Sequence, residues 1–255
     1  MSYSFSDNTV VTEQAVQVGD CHCLVFGSLF AQVQRHNHEW RVEYTYGSAP
    51  AQERLATYGA PKISRLVTST TDGKLSTRLR LADRPIVSRP TDVLEVLPDN
   101  TAVIYISTTL WISIWVAEQQ LVELPAAQLS DTWFGPNTYE GEVCYASTTR
   151  ARLDAALLEP VPFKAVTPVM IHNKSDVKLV LERVNLPVPF LTLYVVNGEY
   201  WTSPVRVTVE ADLSRAKIDI DPDHLKREEE KTQLAEPRKG SGKGVLDKAI
   251  NLLLA

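Results

Sequence analysis

Alternation of apolar and polar residues with period two is the feature that most restricts this chain. In Lys74–Leu81, the side chains of Leu75, Thr77, Leu79 and Leu81 point one way and those of Arg78 and Arg80 the other. That is the signature of a strand with one buried and one wet face. The segment follows Ser64–Thr70 across Thr71-Asp72-Gly73. Asp-Gly supplies the positive φ angles of a tight turn, so the pattern predicts a hairpin. A second hairpin is predicted from Leu191–Val196 and Glu199–Val205 around Asn197-Gly198. Pro204 lacks an N–H, which places the end of that strand at a sheet edge. Further strands are expected at 41–46, 92–97, 102–107, 110–116, 142–151, 165–172 and 177–184. Turns are expected at Pro98-Asp99-Asn100 and Asn173–Asp176. The one stretch with a helical reading in this region is Arg152–Leu158.

Many short strands with frequent turn signals predict an all-β fold of antiparallel, β-sandwich-like halves. Residues 167–184 have the strand–turn–strand character of an immunoglobulin-like sandwich, which places that character in the C-terminal half. A fold analogy of this kind says nothing about activity. The expected organisation is an N-terminal β domain at 1–118 and a C-terminal sandwich-like domain at 119–221. A flexible linker follows at 222–243, because that stretch has too few large apolar residues to offset the entropy of ordering. At 244–255 a docking helix is predicted, with Val245, Leu246, Ala249, Ile250 and Leu253 on one face. A helix this short is marginal alone in water, so it must dock on its own chain, a second copy or a partner protein.

Composition enters as a filter on partners. The chain has 26 Lys+Arg and 31 Asp+Glu, a formal charge of −5, which excludes a basic nucleic-acid footprint over its whole length. The start MSYSFSDNTV has neither a cationic region nor an apolar core, so no secretory signal is expected. The most apolar run, Ala102–Ala117, is shorter than the about 20 residues of a membrane span and rich in β-branched residues, so it reads as two buried strands. Three cysteines are an odd count and no disulfide framework. Free thiols fit a reducing compartment, and the expected location is cytoplasmic.

One segment is distinctive: Leu129-Ser130-Asp131-Thr132-Trp133-Phe134-Gly135, then Glu140-Gly141-Glu142-Val143-Cys144-Tyr145-Ala146, then Thr149-Arg150-Ala151-Arg152. Ser107–Trp111 precedes it and Ala165–Val169 follows. With these flanks it resembles the uncharacterised prokaryotic domain-of-unknown-function family 432, over about residues 85–205. The resemblance implies a prokaryotic source but brings no activity, cofactor or site residue. It implies one partner, a membrane channel protein, since such proteins are encoded beside small mechanosensitive channels.

Read physically, Trp133 and Phe134 are candidate binding residues or core anchors. On a strand, Glu140, Glu142 and Cys144 share a face, with the two carboxylates about 7 Å apart. Asp131, Glu140 and Glu142 are thus candidates for paired acid–base catalysis of the glycoside-hydrolysis kind. The simpler reading is a wet strand face.

The sharpest chemical spacing is Cys21-His22-Cys23 followed by His36-Asn37-His38-Glu39. Residues two apart on a strand project together, so Cys21, Cys23, His36 and His38 are candidate zinc ligands. Against this, C-x-C is tighter than usual zinc spacing, and the cysteines also suit a role as small core residues. Cys144 with His172 is a candidate nucleophile–base pair without a nucleophile elbow around it. The run Gly240–Gly244 lacks both the first glycine and the final Ser or Thr of a phosphate-binding loop, and is read as linker. Trp111, Trp115, Trp133 and Trp201 are candidates for a sugar-stacking platform. Arg65, Arg78, Arg80, Arg84 and Arg89 are candidates for a local cationic patch.

The functional expectation is a non-catalytic binding or assembly module acting through protein–protein contact. Its contact residues would be Trp133, Phe134, Val245, Leu246, Ile250 and Leu253. The alternatives are a metal-dependent or carboxylate-based hydrolase, and a carbohydrate or small-ligand binding module.

Overall fold

The computed structural model describes residues 3–7, 13–47, 61–67, 73–147, 150–158, 163–211, 215–220, 231–240 and 244–249. They form an all-β, sandwich-like fold, and no helix among them exceeds a single 3-10 turn. No helix among them is long and apolar enough to cross a membrane. The chain divides into two compact units, residues 1–80 with 110–128 and residues 81–109 with 129–255. The units interleave along the chain, whereas the sequence reading draws one boundary near 119.

The first unit holds β1 (Tyr3–Asp7), β2 (Gln14–Ala15), β3 (Cys21–Phe26), β4 (Leu29–Arg35), β5 (Glu39–Tyr46), β6 (Lys62–Val67), β7 (Lys74–Arg80), β11 (Trp111–Val116) and β12 (Gln119–Pro125). One sheet runs β1-β3-β4-β5-β6 and the other β12-β11-β7-β2. Leu24, Leu29, Trp40, Leu75, Leu110, Ile112 and Ile114 are its largest fully buried side chains among the described residues. Gly27, at φ 63°, closes the β3–β4 turn, a left-handed conformation that glycine adopts without strain.

The hairpin predicted at Asp72-Gly73 is corrected. β6 pairs with β5, while β7 pairs with β11 and β2; residues 68–72 lie outside the described residues. The physical reason is burial. No residue of β6 is buried, which suits an edge strand, whereas β7 buries Leu75, Thr77 and Leu79 and takes a neighbour on each side. A turn dipeptide marks a chain reversal, and burial decides which strand the reversed chain joins.

The second unit holds β8 (Ile86–Ser88), β9 (Leu94–Val96), β10 (Thr101–Thr109), β13 (Asp131–Phe134), β14 (Glu142–Ala146), β15 (Lys164–Asn173), β16 (Leu179–Leu181), β17 (Val184–Leu186), β18 (Leu193–Val196), β19 (Glu199–Thr202), β20 (Val205–Val209), β21 (Arg215–Ile220), β22 (Lys231–Ala235) and β23 (Gly244–Ala249). The large sheet runs β22-β18-β19-β15-β20-β21-β23, with β10 also on β15. A second sheet runs β13-β14-β8-β17, and β9 pairs with β16. The Asn197-Gly198 hairpin forms as expected, with both residues at positive φ. Pro204 does end β19, but the chain re-enters the same sheet as β20, so the break falls inside the sheet and not at its edge. Arg152–Leu158 contains a 3-10 turn at Ala155–Leu157, capped by the Asp154 side chain.

The C-terminal docking helix is the main correction. Gly244–Ala249 is a strand, antiparallel to β21, with Val245 opposite Asp219 and Leu246 opposite Ile218. Ile250 and Leu253 lie outside the described residues. The helical spacing was present, but a segment this short nucleates a helix at a loss, whereas an open sheet edge offers a ready ladder. Within the expected linker, Lys231–Ala235 is likewise a strand, paired with β18. Residues 222–230 and 241–243 lie outside the described residues.

Candidate functional site

The four-stranded sheet of the second unit carries the distinctive sequence segment. β13 and β14 pair antiparallel, with Thr132 opposite Cys144 and Phe134 opposite Glu142. β14 runs parallel to β8, with Ala146 opposite Val87, and β17 places Asn185 opposite Val87. Opposed residues and residues two apart share a face. One face therefore carries Thr132, Phe134, Glu142, Cys144, Ala146, Val87 and Asn185. Phe134, Cys144 and Val87 are buried there as one apolar cluster.

At the end of this face lies a cavity of about 250 Å³ lined by Val87, Arg89, Thr132, Ala146, Ser147, Arg150 and Arg183. Period two explains the convergence. Arg89 lies two residues beyond Val87, and Arg183 two before Asn185, so both continue the cavity face. The backbone fixes the rest. Ser147 N–H donates to the Val87 carbonyl at 2.8 Å, and Ala151 N–H to the Arg89 carbonyl at 2.8 Å. These two bonds tie Val87 and Arg89 to Ser147 and Ala151.

Two of the three guanidinium groups are held in place. Arg150 Nη1 donates to the Thr91 carbonyl at 2.9 Å. The Arg183 guanidinium lies 5.1 Å from the centroid of the Phe134 ring. A cation over a buried aromatic face gains electrostatically and loses rotamer freedom before any ligand arrives. Arg183 is half-buried, and Arg89 and Arg150 are exposed. The described lining contains three cations, two hydroxyls and no carboxylate, in a chain whose net charge is −5.

The opposite face differs. Trp133 and Val143 are directly opposed and both exposed. Trp133 Nε1 donates to the Asn137 carbonyl at 2.8 Å. Asn137 Oδ1 accepts the N–H of Tyr139 and of Glu140, each at 2.8 Å, which closes the β13–β14 loop. Gly135 and Gly141 are required by close approach. A Cβ on Gly135 would stand 2.6 Å from Gly141 Cα, and one on Gly141 would stand 2.8 Å from the Trp133 ring. Burial, aided by a hydrogen bond to Asp83, pushes the Tyr145 hydroxyl up to about 12.

Cys21 and Cys23 are buried on β3 beside Phe30, and Gln32 Nε2 donates to Cys21 Sγ at 2.7 Å. The hydrogen bond from Cys23 lowers the Cys21 thiol to about 7, and the same contact raises Cys23. His36 and His38 sit in the exposed β4–β5 turn. No cluster of three or more His, Cys, Asp or Glu side chains suited to a metal forms among the described residues. The proposed zinc set is therefore not brought together, because the β3–β4 register places Gln34 and Gln32, not the turn, opposite the cysteines.

Glu140 is in the loop and not on the strand, where Asn137 Nδ2 donates to it at 3.3 Å. Glu142 accepts from Asn185 Nδ2 at 2.8 Å, and Asp131 pairs with Arg84 at 3.3 Å. The three carboxylates thus have three separate partners. Cys144 is buried, its Sγ 3.6 Å from the Glu142 carbonyl oxygen and 3.7 Å from Asn185 Oδ1, while His172 Nδ1 is 2.9 Å from Thr101 Oγ1. Phe134 is a fully buried core residue, and Trp133 is the exposed one of that pair. Trp115 lies under the Arg78 guanidinium at 4.4 Å, and Trp201 meets the Tyr105 ring edge-on at 6.5 Å. Of the five arginines read as a patch, Arg65 is paired with Glu39, Arg78 covers Trp115, Arg80 is half-buried on β7 opposite Trp111, Arg84 is paired with Asp131, and Arg89 lines the cavity. The sequence reading missed Arg183 and Ser147. Stepping back two residues from Asn185 would have found Arg183 only once β17 was placed beside β8.

A family described as a protein of unknown function (DUF432) matches residues 13–254. No curated protein and no solved structure matches the chain. The match is far longer than the 85–205 stretch that carried the resemblance, and it takes in β3, β4 and both compact units. On that coverage the chain belongs to the DUF432 family.

Proposed function

We propose that this protein is a non-catalytic binding module that captures an anionic group in the cavity of Arg89, Arg150 and Arg183. The observation that carries the reading is that three arginines and two hydroxyl residues line one cavity, with no described carboxylate in the lining to neutralise them. Guanidinium forks match carboxylate and phosphate oxygens in pairs, and such charge-assisted bonds are about twice as strong as neutral ones. The lining side chains recognise charge; none of the described ones is a carboxylate or imidazole that would take a proton from Ser147. The protein–protein contact expected through a tethered C-terminal helix is not carried forward, because Gly244–Ala249 is a strand. The membrane-channel partner implied by family resemblance has no described structural feature behind it and forms no part of the proposal.

The test is thermal unfolding in sodium sulfate against sodium chloride at matched ionic strength. Sulfate stabilises many proteins by exclusion from their surfaces, so the Arg150→Gln/Arg183→Gln double variant supplies the reference. The wild type is expected to gain more from sulfate than the variant does, by ligand-linked stabilisation. Equal gains overturn the reading.

A further inference from the structure

We infer, resting on the binding-module reading above, that the anion the cavity takes is a diphosphate group. Charge is the first argument. The described lining presents three guanidinium cations and no anion. A monophosphate carries about −1.5 to −2 at neutral pH and leaves at least one guanidinium uncompensated, whereas two linked phosphoryl groups carry about −3. A single carboxylate satisfies one guanidinium fork in its plane and leaves two unmatched.

Volume is the second argument. The cavity holds about 250 Å³, room for about eight waters at about 30 Å³ each, so it admits two linked phosphoryl groups as well as one.

Placement is the third argument. Arg183 is the half-buried cation, seated on Phe134, and suits the inner phosphoryl group. Arg89 and Arg150 are the exposed ones and suit the outer one. Thr132 and Ser147 add hydroxyl residues to the wall, and Val87 and Ala146 complete it with apolar side chains.

The experiment is calorimetric titration of the full chain with inorganic diphosphate, inorganic phosphate, ADP and citrate at one ionic strength and without divalent cations. Diphosphate is expected to bind at least about tenfold tighter than phosphate and tighter than citrate, whose charge is similar but whose groups are carboxylates. Equal affinity for ADP and diphosphate supports a diphosphate carried at the end of a larger molecule. Diphosphate without ADP supports the free ion. Arg89→Gln is expected to weaken diphosphate by about 10- to 100-fold without changing unliganded stability, since the described fold uses Arg89 through its backbone. Arg183→Gln should act likewise, with Arg89→Gln deciding the matter if that variant misfolds. Arg65→Gln, whose guanidinium pairs with Glu39, should bind as the wild type does. Phosphate as tight as diphosphate, or citrate tighter than both, overturns the diphosphate inference and leaves an anion-binding module standing. No binding of any of the four overturns both.

Discussion

The Cys21–Glu39 stretch and the arginine cavity are opposite cases of how a site is written into a chain. In the first, four potential metal ligands fall within 18 positions of one another with a conspicuous local spacing. The fold separates them: the thiols are buried on β3 and the imidazoles are exposed in the β4–β5 turn. In the second, Arg89, Arg150 and Arg183 are scattered over nearly a hundred positions and share no motif. The fold brings them to one cavity. Local spacing tells which side chains leave the same strand on the same side. Convergence between strands depends on register and on which strands pair, and those follow from burial.

The contrast yields experiments that can break it. The largest effect is expected from Phe134→Ala. Phe134 is fully buried and seats Arg183, so its loss should destabilise the second unit by about 3–5 kcal/mol and weaken anion binding together. Denaturant unfolding alongside calorimetry measures both; anion affinity that survives unchanged would show that the Phe134 ring does not hold Arg183 for binding. Gly135→Ala comes next. Its Cβ would meet the Gly141 backbone at 2.6 Å, so a cost of about 1–3 kcal/mol is expected from thermal unfolding. No change would mean that the β13–β14 loop relaxes freely and does not hold Thr132 in place.

A smaller effect is expected from His22, which lies between the two cysteines. Burial lowers its pKa below the ordinary 6.5. The folded form thus keeps the ring neutral while the unfolded chain takes up a proton near pH 6.5. Its contribution to stability is present above that pH and is lost as pH falls below it toward the depressed folded value. Urea midpoints followed from about pH 7 to about pH 5 should fall more steeply for the wild type than for His22→Gln. Parallel slopes would show that His22 is protonated equally in both states. The smallest effect is expected from His36→Ala with His38→Ala, within about 0.5 kcal/mol, because both lie in an exposed turn. A larger loss that grows when zinc is added, because zinc stabilises the wild type and not the variant, would restore the metal reading.

Much of the fold was legible because period-two patterning is a direct trace of a half-buried strand. Leu75, Thr77 and Leu79 are buried as the alternation requires, and Arg78 is exposed. Asn197-Gly198 closes its hairpin because positive φ at both positions leaves little alternative. Asp72-Gly73 misled because the same chemistry tells nothing about the partner strand. The C-terminal apolar residues misled for a related reason: Val245 and Leu246 fit a helical face, yet the free edge of β21 offered hydrogen bonds that an isolated short helix could not match. Of the cavity, the sequence reading picked out Arg89 within a diffuse patch, and Thr132 and Arg150 within the family segment. Arg183 and Ser147 carried no local signal at all.

The residue pattern alone was enough for the all-β class, for strands such as β7, β10 and β15, and for the turn at Asn197-Gly198, since each follows from the geometry of a few neighbouring residues. It also determined the family, through the segment from Leu129 to Arg152. The tertiary structure decided which strands became neighbours, how the two units interleave along the chain, and that three distant arginines line one cavity. Those outcomes depend on burying apolar surface contributed by residues far apart in sequence, and no local window contains that information.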